Sequence, residues 1–158
     1  MYFLTLSIGY LLAYPLITWS IQLFFRERKS TQLSFIHSSI IFAWLLVSIV
    51  WSQVISDIDI SNRILHACGG GMAIVLITYC ASRASRVVLS RFQFFCIAFS
   101  IASIFGICNE LFESVLQWVY GMRFALSVED TWYDLWSNSI GALIAAWWFS
   151  LSIIIKDS

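Results

Sequence analysis

The chain has 158 residues, of which 60% are hydrophobic and 11% are charged, and its formal net charge is zero. Soluble domains carry roughly 25% charged residues, so this composition excludes an ordinary soluble domain and favours a small helical membrane protein. The basic residues are scattered rather than gathered into a stripe, which argues against a nucleic-acid partner.

Five apolar runs follow one another along the chain, each about 20 residues or longer and able to cross the hydrocarbon core as a helix. They predict helices near residues 2–25, 33–55, 64–82, 92–120 and 128–155. The first run lacks a basic amino-terminal region and a small-residue cleavage site, which indicates a retained span rather than a signal peptide. The predicted fold is all-α, an integral membrane bundle of about five transmembrane helices that forms one domain over residues 1–158.

The connections between these runs alternate in charge. Basic residues follow the first, third and fifth runs, whereas acidic residues dominate after the second and the fourth. By the positive-inside rule, the amino terminus lies outside and the carboxyl terminus lies in the cytoplasm. Amphipathic indole rings prefer the membrane interface, and four of them are expected at its outer side: Trp51, Trp118, Trp132 and Trp136.

Polar residues on three predicted helices lie at a common depth. At 1.5 Å per residue, Glu110 and Glu113 lie roughly 28 and 33 Å along the fourth helix, near the outer boundary of a core about 30 Å thick. His66 follows Arg63 at the outer end of the third helix, and Asp134 lies in the first turns of the fifth. This shared depth predicts a polar pocket at the level of the outer leaflet.

Small residues continue the same helical faces towards the other side of the membrane. The face on the fourth helix comprises Ala98, Ala102, Gly106, Glu110, Glu113 and Gln117. The face on the fifth helix comprises Asp130, Asp134, Asn138, Gly141 and Ala145. Small residues let membrane helices approach closely, so these faces are expected to pack together, with a similar approach at Gly69, Gly70 and Gly71 on the third helix.

The predicted pocket has the chemistry of a metal site or of an acid–base site. The candidate catalytic residues, which are also the candidate metal ligands, are His66, Glu110, Glu113 and Asp134. Such ligands suit Zn²⁺, Mn²⁺ or Mg²⁺, whose bound water would serve hydrolysis. In a metal-free alternative, one of the carboxylates is a general base.

Three further residues are candidates for substrate binding. Arg123 would hold a phosphate or carboxylate group of the substrate, and Asn138 and Asp130 would complete the set. Asp130 also has a structural alternative, because Ser127 three residues earlier resembles the start of a capping box.

Two interpretations of another class stay open. In the first, the protein is not an enzyme, and its polar residues satisfy one another between helices. Interhelical hydrogen bonds contribute only about 0.6 kcal/mol each on average, which is too little to explain the burial of four acids. In the second, the protein is a small transporter subunit, because membrane acids can relay protons or coordinate ions. The inner halves of the third to fifth helices lack Asp, Glu, Lys, Arg and His, which favours a site open to one face only.

The stretch 110–141 resembles the end of a VanZ-like membrane protein. The resemblance rests on a D-x-x-x-N-x-x-G motif that begins at Asp134, on the upstream Arg123, and on an E-x-x-E motif that begins at Glu110. In the last motif, Glu113 stands where VanZ-like proteins usually have glutamine. The chain is also similar to YjdF-like small membrane proteins, which have a histidine–glycine start to one helix and acidic pairs on later ones.

These resemblances imply a polytopic protein of the bacterial cytoplasmic membrane that is linked to the cell envelope. VanZ-like proteins are associated with resistance to the antibiotic teicoplanin. We therefore expect an outer-leaflet polar pocket that binds or modifies a membrane lipid or a lipid-linked envelope precursor. If the protein is an enzyme, it is expected to be a membrane-embedded hydrolase or transferase, with a divalent metal ion as the candidate cofactor.

Overall fold

The computed structural model describes residues 2–26, 33–121 and 127–153, which form helices and short connections. The helices are α1 (Tyr2–Phe24), α2 (Phe35–Val54), α3 (Ile58–Ile64), α4 (Ala73–Ser85), α5 (Arg91–Tyr120) and α6 (Val128–Leu151). A π-helical segment, Leu65–Met72, joins α3 to α4. The all-α architecture predicted from the sequence is thus confirmed over the described ranges.

Three helical stretches among the described residues are both long enough and apolar enough to cross a bilayer. They are Phe35–Val54, Ile58–Ser85 and Arg91–Tyr120. The presence of membrane helices is therefore confirmed, whereas a total of five spans stays a prediction.

The third predicted helix begins earlier than the apolar run suggests. The Asp57 carboxylate accepts hydrogen bonds from the backbone N–H groups of Asp59, at 3.0 Å, and Ile60, at 3.1 Å. This cap satisfies amide groups that the first helical turn leaves without partners. The charged stretch before residue 64, expected to be a connection, is therefore helix α3.

Helix α4 is the centre of the bundle. Nearly all of its side chains are buried, and it packs against α1, α2, α5 and α6. The Tyr79 ring stacks on Phe149 of α6, with the ring centroids 4.9 Å apart, and meets Phe94 of α5 edge-on. The apolar core thus lies around α4, and the buried acidic residues Glu110, Glu113 and Asp134 lie on α5 and α6.

The π-helical segment lies against α6 at very short range. A Cβ atom added at Gly71 would overlap the Asn138 carbonyl oxygen, and one added at Gly141 would overlap the Ala67 carbonyl oxygen. The close approach predicted from the glycines is therefore confirmed, and its partner is α6. The segment is also tied to α2, because the Trp44 indole N–H donates to the Cys68 carbonyl at 2.9 Å.

The predicted face of small and polar residues on α5 is also confirmed, with one exception. The buried residues of this helix are Phe94, Ala98, Ala102, Gly106, Glu110 and Glu113. Gln117, in the last turn, is exposed. On α6, Asp134, Asn138, Gly141 and Ala145 are buried as expected.

Charges of opposite sign lie at opposite ends of the described bundle. The Gln22 amide donates to the Ser85 carbonyl at 3.5 Å, so the carboxyl ends of α1 and α4 meet. The Ser61 hydroxyl donates to the Ser52 carbonyl at 2.7 Å, so the end of α2 meets the start of α3. The exposed basic residues of the first end are Arg26, Arg83, Arg86 and Arg91, and the exposed acidic residues of the second are Asp57, Asp59 and Glu129.

This segregation generates a prediction about orientation in the membrane. In a cysteine-free background, an impermeant maleimide should label Asp59→Cys in intact cells, and should label Arg91→Cys only after permeabilisation, because basic ends face the cytoplasm. Both positions are exposed in the structure. The reverse labelling pattern would contradict the orientation.

The glycine contacts generate a prediction about stability. Gly71→Ala and Gly141→Ala should each lower the free energy of unfolding on the order of 1–3 kcal/mol, because the added methyl group forces the two helices apart. Gly9→Ala is the matched control, since a Cβ at that position meets nothing within 4 Å. Thermal melting in detergent measures the effect, and equal melting temperatures for all three variants would contradict the close contact.

Candidate functional site

Three ionisable side chains from three separate parts of the chain converge inside the bundle. His66, Glu110 and Asp134 each offer one nitrogen or oxygen atom of the kind that binds metals, and these atoms all lie within 4.8 Å of one another. His66 Nε2 is 3.4 Å from Asp134 Oδ2, and His66 Nδ1 is 3.9 Å from Glu110 Oε1. We call this group the polar centre.

The backbone around the polar centre explains how these side chains come together. His66 lies in the π-helical segment, and π turns inside α-helices occur frequently at functional sites. Gly70 gives room to the Asn138 side chain, which a Cβ at that position would overlap. Gly106 of α5 lies against the other side of the same asparagine, with 3.5 Å from its ideal Cβ position to the Asn138 Cβ. The missing side chain at Gly70 therefore makes room for Asn138, and α5 packs against the same residue at Gly106, where a Cβ would be in ordinary van der Waals contact.

Two asparagines support the polar centre through hydrogen bonds. Asn62 Nδ2 donates to Asp134 Oδ1 at 3.0 Å. Asn138 Nδ2 lies 3.3 Å from His66 Nδ1. Asn138, a sequence candidate for substrate binding, thus contacts the histidine of the polar centre.

Glu110 is the least satisfied member of the polar centre. Only 7% of its surface is exposed, and its Oε1 atom has no hydrogen-bond partner among the residues that the structure describes. Buried polar atoms are nearly always paired, because an unpaired one costs the full loss of its hydration. The burial of this oxygen therefore destabilises the folded protein unless a ligand or a substrate contacts it.

The other sequence candidates lie around the polar centre or outside the described ranges. Glu113 is buried and accepts a hydrogen bond from Asn109 Nδ2 at 2.9 Å, and it does not belong to the group of three. The Asp130 backbone N–H donates to the Ser127 hydroxyl at 3.2 Å, which is the Ser127 half of the expected capping box. Arg123 lies outside the described residues.

Arg63 is a neighbour that the sequence analysis did not assign to the site. Its guanidinium carbon lies 4.0 Å from the centre of the Tyr133 ring, in a cation–π contact. Its Nη1 atom is buried and finds no hydrogen-bond partner within the described ranges. Asn62 and Arg63 precede His66 by four and three residues and so share its helical face. This shared face was not predicted, because the stretch before residue 64 was expected to be a connection rather than a helix.

The arrangement supports two kinds of chemistry. A histidine between two carboxylates can accept and donate a proton, which is the basis of general acid–base catalysis. The same three groups can hold a divalent cation. In both cases the nearby guanidinium of Arg63 is available for an anionic group.

The chain matches a family of membrane proteins. Residues 7–153 match a family model described as "Predicted membrane protein (DUF2238)". No curated protein and no solved structure matches the chain. The family match confirms neither the VanZ-like nor the YjdF-like resemblance.

The unpaired oxygen of Glu110 generates a prediction that separates function from structure. In chelator-treated protein, Glu110→Gln should leave the melting temperature unchanged or raise it, because the change removes a buried carboxylate whose Oε1 atom has no hydrogen-bond partner among the described residues. Asp134→Asn should lower it slightly, because the Asn62 hydrogen bond then loses its charged acceptor.

Thermal melting in detergent measures both effects, and Asp59→Asn at an exposed position is the control. Collapse of the fold in Glu110→Gln, with the control unchanged, would show that this carboxylate has a structural role.

Proposed function

This chain belongs to the DUF2238 family of predicted membrane proteins, and from that premise we propose that it binds and modifies a lipid or lipid-linked molecule at the polar centre. The observation that carries the proposal is the convergence of His66, Glu110 and Asp134 within 4.8 Å. Ionisable groups inside membrane helices are costly, so a cluster of three is a functional site by default.

The depth of the polar centre favours a lipid as the substrate. The continuous helix Ile58–Ser85 has 28 residues and α5 has 30, so they are roughly 42 and 45 Å long and extend beyond a hydrocarbon core of about 30 Å. Measured along their own helices, His66, Glu110 and Asp134 lie roughly 9 to 15 Å from the end of the bundle that carries the exposed acidic residues. This depth is close to the boundary where the polar head of a lipid meets its acyl chains.

The surface next to the polar centre is apolar and open to lipid. Leu111, one residue after Glu110, is 61% exposed, and Trp136, two residues after Asp134, is 66% exposed. Indole rings prefer the membrane interface. A lipid could therefore place its chain along α5 and α6 while its head group reaches the polar centre.

Arg63 supplies the positive charge expected for an anionic head group. It lies on the helical face of His66, and its Nη1 has no hydrogen-bond partner in the described part of the chain. Guanidinium groups bind phosphates through paired hydrogen bonds. Arg63 thus takes the role that the sequence analysis gave to Arg123.

The proposed reaction is hydrolysis or transfer at the polar head, on the outer leaflet by the positive-inside rule. His66 moves a proton between the substrate and water, and the carboxylates of Glu110 and Asp134 position it and stabilise its charged form. The 12% exposure of the His66 side chain leaves it an opening to the surface.

The role of Arg63 is testable with lipid binding. The probes are a long-chain isoprenoid phosphate and phosphatidylglycerol, each added to the full-length protein in nanodiscs of phosphatidylcholine and measured by native mass spectrometry. Arg63→Gln should weaken binding of at least one probe about tenfold or more, because hydrogen bonds to charged groups contribute about 1.5–3 kcal/mol.

Arg91→Gln is the matched control, since Arg91 is exposed at the opposite end of the bundle. Equal affinities of the wild type and Arg63→Gln for both anionic lipids would refute the anion site. If His66→Ala converts the bound lipid into product at the same rate as the wild type, the chemical role of the polar centre is refuted.

A further inference from the structure

We infer that the polar centre binds one divalent cation, Zn²⁺ or Mn²⁺, through one ring nitrogen of His66 and one carboxylate oxygen from each of Glu110 and Asp134. The inference rests on the proposed function, because it names the cofactor of the same site. With the ion bound, His66 and the two carboxylates would be its ligands, and a water on the ion would replace His66 as the group that exchanges the proton. It stands on four features of the described residues: spacing, an unpaired oxygen, charge, and the hydrogen bonds that surround the ligands.

The spacing within the polar centre is compatible with ligands of one ion. His66 Nε2 lies 3.4 Å from Asp134 Oδ2, and the other ring nitrogen, Nδ1, lies 3.9 Å from Glu110 Oε1; both separations are longer than a good hydrogen bond. When each residue offers one atom, these atoms lie within 4.8 Å of one another. Bonds from Zn²⁺ to nitrogen or oxygen of about 2.0–2.2 Å place neighbouring tetrahedral ligands about 3.3–3.6 Å apart, so side-chain movements of roughly 1 Å would bring all three residues into contact with one ion.

The unpaired oxygen points to a missing partner. Glu110 is more than nine-tenths buried, and its Oε1 atom, which faces His66 Nδ1, lacks a hydrogen bond within the described ranges. A cation would satisfy this oxygen without any protein donor. Asn109, the preceding residue, donates a hydrogen bond to Glu113 and leaves this oxygen unpaired.

The charges of the polar centre balance a divalent ion. Two carboxylates contribute two negative charges, and a ligating histidine is neutral, so an ion of charge +2 makes the group neutral in a medium of low dielectric constant. Buried charges are paired or coordinate metals for this reason. Mixed nitrogen and carboxylate ligands suit Zn²⁺ and Mn²⁺ better than Ca²⁺, which prefers oxygen alone.

The surrounding hydrogen bonds orient the ligands. Asn62 holds Asp134 Oδ1, which leaves Oδ2 turned towards His66. Asn138 lies beside His66 Nδ1 and can fix the orientation of the ring. Such outer contacts tune metal sites. Three protein ligands leave coordination positions for water and substrate, which is the pattern of a catalytic rather than a structural site.

The experiment compares metal content in full-length protein purified without chelator. Wild type and Glu113→Gln should each contain close to one Zn²⁺ or Mn²⁺ per chain by elemental analysis. Glu110→Gln, Asp134→Asn and His66→Gln should lose most of it. Glu113→Gln is the matched control, because Glu113 is a buried acid three residues along the same helix and lies outside the group.

A second measurement keeps the inference testable if a variant folds poorly. After chelation, Zn²⁺ or Mn²⁺ should raise the melting temperature of the wild type and of Glu113→Gln but not of any ligand variant that still elutes as a folded protein. Replacement of the bound ion by Co²⁺ should give a visible absorption spectrum in the wild type and in none of the ligand variants.

Wild-type protein without metal, without a melting shift and without a cobalt spectrum would overturn the inference, as would retention of metal by Glu110→Gln and Asp134→Asn. These results are independent of lipid binding. Lipid binding that depends on Arg63 in a metal-free protein would leave the proposed function standing and remove only the cation.

Discussion

The structure depends on the contact between the π-helical segment Leu65–Met72 and α6, which glycine alone permits. At Gly71 and Gly141 each helix meets the backbone of the other, and a single methyl group would separate them. In a bilayer, such contact replaces the hydrophobic effect as the force between helices, because lipid tails are as apolar as the side chains. The distance between His66 and Asp134 is set by this contact, and the chemistry of the site follows from it.

Much of the site could be predicted from the sequence, because the geometry of membrane helices is regular. Helical periodicity and a common depth were enough to place His66, Glu110 and Asp134 together, because membrane helices are long, straight and nearly antiparallel. The buried face of α5 from Ala98 to Glu113 follows from the same periodicity. Depth alone, however, does not separate Glu110 from Glu113, which differ by less than one turn. Only the helix-to-helix geometry shows that Glu110 joins the group of three.

Sequence reasoning missed the features at which local composition favours one structure and helix capping or tertiary contacts favour another. The charged stretch from Asp57 to Arg63 has the composition of a connection, yet a cap by Asp57 begins a helix there, and Asn62 and Arg63 thereby reach the polar centre. The π-helical segment leaves no periodic signature in a run of eight residues that contains three glycines. Its register depends on contacts with α2 and α6, which no local pattern encodes.

The π-helical segment also has a consequence for how this region can vary. A π turn holds more residues than an α turn, so it acts as an insertion absorbed within a continuous helix. Without this absorption, one extra residue would rotate α3 by about 100° relative to α4 about the helix axis. Asn62, Arg63 and His66 would then turn away from the residues that they contact. The π turns, as much as the glycines within them, therefore keep the face that carries these three residues in phase with its neighbours.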